Sequence, residues 1–242
     1  MVQQSELFIE VRMNKVVWSL FDGSGIMGWE YAKNGYKVYC FNFDAGDHGG
    51  YELVRVKHPN IQYVNSWIDE GFDPEKDGIP KPDIIFAFPP CTDMAVSGAA
   101  HFASKAAKDP LFQVKAVNTA KVAAMLGDKY GCPYMIENPV SVLSSKWRRP
   151  NHMFHPYEYG GYLPHDDVHP FFPEYINPRD SYPKKTCLWT GNGFKMPPAK
   201  PVAVAKGYSE QHKKLGGKSA KTKLIRSLTP RGFAAAVFYS NQ

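Results

Sequence analysis

The tightest constraint on this chain is a strand that runs straight into a glycine turn. Val16-Val-Trp-Ser-Leu-Phe21 is a short apolar run of the kind that forms a buried strand. It is followed at once by Asp22-Gly-Ser-Gly-Ile-Met-Gly28 and then by the helix-compatible Trp29-Glu-Tyr-Ala-Lys-Asn34. Strand, glycine turn and helix in succession let backbone approach a nucleotide-like ligand closely, because glycine has no Cβ in the way. A lone G-x-G is equally compatible with an ordinary tight turn. Similar apolar runs predict strands at Val16–Phe21, Lys37–Phe43, Ile61–Val64, Asp83–Phe88, Pro133–Glu137 and Cys187–Thr190. A helix is predicted over Leu111–Tyr130, where Val114, Val117, Ala120, Val122 and Met125 supply an apolar side, and a last one from about Pro230. Strands alternating with helices imply an α/β fold with a doubly wound, mostly parallel, Rossmann-like sheet.

Two further strand ends carry chemical groups. Asp83-Ile-Ile-Phe-Ala-Phe88 is closed by Pro89-Pro90-Cys91, and the prolines end the strand abruptly. Chemistry in an open α/β sheet is expected at the carboxyl ends of strands. A thiol there is a nucleophile if its pKa is lowered, and inert packing otherwise. Tyr134-Met-Ile-Glu-Asn-Pro139 ends in the same way with a carboxylate, Glu137, whose plain alternative is a solvated turn residue.

With 242 residues, 43% of them apolar, the chain suits one sizeable domain with a small appendage. No apolar stretch reaches membrane-spanning length, and Met1 to Lys15 show no secretory pattern. Cysteines at 40, 91, 132 and 187 form no C-x-x-C pair, which argues against a zinc knuckle or a disulfide scaffold and for a reduced cytoplasmic setting. Charge is concentrated: Lys184 to Arg231 holds twelve lysines and arginines against one acid, Glu210. That is +11 within a chain of net +6, so the remainder carries −5. A cationic segment on an acidic body suits contact with a phosphate backbone, or is simply a solvated tail. The stretch 148–183 is rich in proline, aromatics and histidine without periodicity, and reads as a long structural or DNA-facing loop. Its His152, His155, His165 and His169 match no zinc spacing, so no metal is expected.

Taken together and in order, Phe21-Asp-Gly-Ser-Gly25, Phe88-Pro-Pro-Cys-Thr92 and Glu137-Asn-Pro139 resemble the first, fourth and sixth motifs of the cytosine-5 DNA methyltransferases. The chain as a whole looks like the short phage- or prophage-type members, over roughly its first three quarters. The resemblance implies a class I methyltransferase fold and S-adenosylmethionine as cofactor. It implies Cys91 as the nucleophile that adds to carbon 6 of a flipped cytosine, and Glu137 as the carboxyl that holds the ring at N3 and the exocyclic amine. Phe21, Asp22, Gly23, Ser24 and Gly25 correspond to the loop along the cofactor, with Pro90 beside it. The positions for the ribose hydroxyls and adenine fall on Asn42 and Phe43, with Asp44 able to share the first duty, and Ser66 is the candidate from the third motif. Asn42 stands where the family usually has a glutamate, and Pro139 where most members have valine.

The family's Q-x-R-x-R motif is missing around Pro183-Lys-Lys-Thr-Cys-Leu-Trp189; Lys185 falls nearest its first arginine and is the expected third catalytic residue, unless it is only one of a lysine pair at a strand entrance. The implied organisation is a catalytic part over 1–190, a small basic DNA-recognition segment over 191–225 and a returning C-terminal helix over 226–242. Lys213, Lys214, Lys218, Lys221 and Lys223 are the expected contacts to double-stranded DNA, made by a monomer. Three other readings stay open: an exocyclic-amine methyltransferase, an RNA cytosine-5 methyltransferase, and a methyltransferase-like DNA-binding protein.

Overall fold

The computed structural model describes residues 15–45, 50–204, 210–216 and 219–242; Lys218 and the stretch 1–14 lie outside them. The six predicted strands form within a residue or two of their expected ends. They are β1 (Val16–Leu20), β2 (Lys37–Asn42), β3 (Ile61–Asn65), β4 (Ile84–Ala87), β5 (Tyr134–Pro139) and, after a short β6 (His152–Phe154), β7 (Thr186–Gly191). Helices are α1 (Trp29–Lys33), α2 (Phe102–Lys108), α3 (Phe112–Tyr130), α4 (Leu143–Lys146), α5 (Glu210–Lys214), α6 (Ala220–Ser227) and α7 (Arg231–Ser240).

One seven-stranded sheet runs in the order β3-β2-β1-β4-β5-β7-β6. The first five strands are parallel, and β7 is antiparallel to both β5 and β6. This is the Rossmann-like, doubly wound sheet that the sequence predicts. Its order reverses between β1 and β4, and the crevice beyond the strand ends at such a switch point is where α/β sheets bind ligands. The glycine turn after β1 and the Pro-Pro-Cys after β4 both open there.

Both faces of the sheet are covered, which is why its central strands read as continuous apolar runs. Val17, Phe86, Met135 and Leu188 pack with Met27 and Tyr31 of the α1 side and Phe233 and Phe238 of α7. Trp18, Leu20, Ile85, Ile136 and Trp189 pack on the other face with Val117, Ala120 and Ala124 of α3. Among the described residues no helix is long and apolar enough to cross a membrane.

The segment 148–183 is structural in character. It carries β6, and its backbone is tied to the start of α7 by charge. Arg231 makes a two-pronged bond to Asp167 (2.8 and 2.6 Å), Arg179 N donates to the same carboxylate, and Gly232 N donates to Asp180. Phe154 stacks on Phe233 at 4.1 Å between ring centres. The histidines serve this packing separately. His169 is buried, and its Nδ1 accepts from the N–H groups of Phe171 and Phe172; burial, then the Arg231 charge, bring its pKa to about 4. Among the described residues no group of three or more His, Cys, Asp or Glu side chains is placed to hold a metal ion. The start of the 191–225 segment also docks here, Lys200 N donating to Glu158 O and Val202 N to Tyr157 O.

Burial pushes the Asp167 carboxyl up in pKa, but the Arg231 and Arg179 bonds outweigh it and hold it below the usual range. A depressed carboxylate stabilises the fold at pH above its unfolded value and loses that contribution as pH falls through its folded one. Arg231→Met should therefore cost about 3 kcal/mol at neutral pH, because it strands a buried charge. The cost should shrink toward acid pH, where unpaired Asp167 can take up a proton. Urea denaturation of both proteins across pH 4 to 8 checks this, and a pH-independent cost would contradict it.

Candidate active site

The turn after β1 is built around one side chain. Asp22 Oδ1 accepts from Ser24 N (3.0 Å), Gly25 N (2.7 Å) and Ser24 Oγ (3.0 Å), and Oδ2 accepts from Ser19 Oγ (2.7 Å). Asp22 is buried, and burial pushes its carboxyl up in pKa against these bonds. It shapes the turn and has little left to offer a ligand, a more internal role than the resemblance implies. Phe21 has a left-handed backbone (φ 57°), uncommon for a bulky residue and a sign of local strain at the strand exit. The glycines are needed for close approach: a Cβ on Gly23 would strike the ring of Tyr51, and one on Gly25 (φ 72°) would strike Tyr63 Oη. Tyr51 Oη in turn bonds Ser227 Oγ at the end of α6 (3.0 Å).

Asn42, Phe43 and Ser66 lie together on the neighbouring rim, at the ends of β2 and β3. Ser66 N donates to Asn42 O, and Asn42 Nδ2 donates to Asp44, whose carboxylate is held by Arg55 at 2.9 and 3.0 Å. Arg55 thus neutralises Asp44, and among the described residues Asn42 Oδ1 is the acceptor of that pair left uncommitted. Phe43 and Trp67 meet edge to face at 5.2 Å, 44% and 65% exposed. Trp67 escapes a sequence reading because an exposed tryptophan and a core one look alike in a single chain. A glycine turn with two exposed aromatic rings beside it fits the amino-acid and adenine ends of an S-adenosyl ligand.

Cys91 and Glu137 stand at the ends of the adjacent strands β4 and β5, both partly buried. Burial pushes the Cys91 thiol up in pKa; the Glu137 charge pushes the same way and the Lys184 charge opposes them. Burial also raises Glu137, again opposed by Lys184. The resting thiol is therefore protonated at neutral pH, where a nucleophile would need a lowered pKa. Cys40, Cys132 and Cys187 are buried, each with a raised pKa whose leading cause is burial.

The cation of this site is Lys184 and not Lys185. Glu137 lies opposite Leu188 across the β5–β7 ladder, and opposed residues point to one face. Continuing the two-residue period back from Leu188 through Thr186 brings Lys184 to that face. Lys185 goes to the other, exposed, where its charge acts on Cys187. Lys184 Nζ also donates to Arg226 O at 3.0 Å, fastening it to α6. Strand parity carries this signal, but the strand's register against Glu137 must be known before it can be used.

The basic residues are partly engaged. Lys213 and Lys214 share Glu210 (3.0 Å each), Lys214 Nζ also reaches Glu174 O, and Lys221 Nζ lies over the Tyr175 ring and bonds its hydroxyl. Lys223 lies on α6 with Lys221, and Lys218 is outside the described residues. Exposed pairs of this kind are worth about 1 kcal/mol or less.

No protein-family model and no curated protein matches the chain. Among solved structures it is similar to the epimerase Mth375 from Methanothermobacter thermautotrophicus, at 18% identity and a TM-score of 0.29 over 47% of this chain and 33% of that one. It is also similar to the 16S rRNA methyltransferase KamB, at 12% identity and a TM-score of 0.37 over 78% of this chain and 94% of that one.

The opposing effects of Glu137 and Lys184 can be read in the free protein. Glu137→Gln removes a repelling charge and should speed alkylation of Cys91 by iodoacetamide at pH 8. Lys184→Met should slow it, each by about threefold, since one pKa unit is about tenfold in thiolate. Peptide-mapped mass spectrometry gives both rates, and changes of the same sign would contradict the assignment.

Proposed function

We propose that the chain is an S-adenosylmethionine-dependent methyltransferase acting on carbon 5 of cytosine in DNA. The observation that carries this reading is the convergence of Cys91 after β4, Glu137 near the end of β5 and Lys184 at the entrance of β7, beside the glycine turn of β1. When bound, S-adenosylmethionine supplies an electrophilic methyl group; the glycine turn, Asn42, Phe43 and Ser66 are the residues that would hold it, with Trp67 beside them.

The raised pKa of Glu137 suits its part. It lets Glu137 take up a proton as the base binds, and the neutral carboxyl can then donate to N3 of cytosine while its other oxygen accepts from the exocyclic amine. Once Glu137 is neutral, the charge that opposes ionisation of Cys91 is gone and Lys184 acts alone in favour of the thiolate. Binding of the base thus favours loss of the Cys91 proton to water and switches the nucleophile on. The thiolate adds to carbon 6, electron density moves to carbon 5, and carbon 5 becomes the nucleophile. After carbon 5 is substituted it loses its proton, and the bond from carbon 6 to sulfur breaks. A cytosine inside a duplex reaches such a site only by leaving the stack. The lysines of α5 and α6 supply the phosphate contacts that hold the duplex.

Duplex DNA containing 5-fluorocytosine, with S-adenosylmethionine present, should trap the protein as an adduct at Cys91, because the substituted carbon 5 then has no proton to lose. Intact-mass measurement detects it, and Cys91→Ser should form none. Methyl transfer that survives Cys91→Ser would identify an exocyclic amine as the acceptor instead, since direct attack by an amine needs no thiol.

Changing Lys213, Lys214, Lys218 and Lys221 to alanine should weaken every duplex alike. It should also flatten the dependence of log affinity on log salt by about 0.9 for each phosphate that is no longer neutralised. An unchanged slope with loss of a preferred sequence would make these residues base readers.

A further inference from the structure

The bond pattern around Cys91 singles out Asn138. Past Phe88 the β4–β5 ladder cannot continue through the backbone of β4, because Pro89 and Pro90 carry no N–H. A side chain takes over: Asn138 Nδ2, in a residue 1% exposed, donates to Pro89 O at 3.0 Å. Beyond Cys91 the two loops join again by backbone. Val96 N donates to Val140 O (3.1 Å), Val142 N donates to Met94 O (2.9 Å), and Ala95 and Ser141 form an antiparallel bridge. Cys91 is itself fastened on its downstream side, its carbonyl accepting from Met94 N (3.0 Å) and Ala95 N (2.8 Å), so the Asn138 bond two residues before it is the tether on its upstream side.

The other half of the Asn138 amide is costly. Its Oδ1 is buried with no hydrogen-bond partner among the described residues, as is Ser141 Oγ in the same seam. An unpaired buried acceptor costs about 1–3 kcal/mol, more than one amide bond returns. An apolar residue of similar volume would fill this place at least as stably, so stability alone does not explain an amide here. What only a donor can do at this position is hold the Pro89 carbonyl.

We propose that Asn138 is a positioning residue for Cys91, fixing the turn that bears the thiol relative to Glu137, the residue next to it in β5. Its bearing on catalysis rests on the methyl-transfer reading above. The tether itself is testable without turnover. Asn138→Leu keeps the volume and removes both the donor and the orphaned acceptor, and Asn138→Ala removes the side chain. In both, alkylation of Cys91 by iodoacetamide at fixed pH should rise at least about fivefold as the half-buried thiol is released. Val122→Ala, a buried change in α3, is the control for general loosening; it should lower the thermal midpoint and leave the Cys91 rate within about twofold. If the Asn138 variants alkylate like the wild type, or no faster than the Val122 control, the tether is refuted. In methyl transfer to DNA, Asn138→Leu should lower kcat about ten- to a hundredfold, with KM for DNA and for S-adenosylmethionine within about twofold, as misplacement of a reacting group does. A wild-type protein that methylates no nucleic acid would overturn the functional reading, while the alkylation rates still judge the tether.

Discussion

Two missing N–H groups organise the active end of this protein. Parallel strands β4 and β5 are held by a regular ladder, and Pro89 and Pro90 stop it at a fixed residue. The chain must then leave the sheet, and it does so at the switch point between the two halves, where the crevice is already open. The next residue is Cys91, and the nearest strand end carries Glu137. Much of the site's geometry follows from that interruption: a thiol on a rigid turn, a carboxyl on the adjoining strand, and loops that pair again a few residues later.

Electrostatics at this end are arranged for restraint. Burial keeps both groups protonated to higher pH than in water, the Glu137 charge adds to this at Cys91, and one lysine on their face opposes the effect at both. A thiol in that state resists adventitious oxidation, since the thiolate is the reactive form. Reactivity then depends on what lies against Glu137. Under the proposed function, the same burial that makes the free protein quiet would give a bound base its leverage, because in a partly desolvated site the loss of one charge is felt strongly by its neighbour.

Much of this architecture was legible in the chain. The central strands were visible because parallel strands covered on both faces must be continuously apolar. The turn after β1 and the residues at the ends of β4 and β5 could be placed for the same reason. Asp22 was assigned to the ligand because a motif names a residue without saying where its oxygens point. The lysine of the site was displaced by one position, since Lys184 and Lys185 differ only in which face of β7 they continue. β6 was hidden in 148–183 because that region is held by an ion pair and stacked aromatic rings, neither of which leaves a period in the sequence. Trp67 was missed because exposure is a property of the fold.

The reversed direction of β7 has a further consequence. Parallel strands offer only their exits to the crevice, but an antiparallel strand among them offers its entrance, and Thr186 at the start of β7 indeed lies opposite Pro139 at the end of β5. Residues just upstream of β7 therefore reach the rim without belonging to any crossover helix. They close a long excursion whose two ends are stitched to the sheet through β6 and β7, so its length is free of the ladder's register. The fold keeps one door through which segments of any size can be admitted beside the reacting groups while the parallel strands behind them stay as they are.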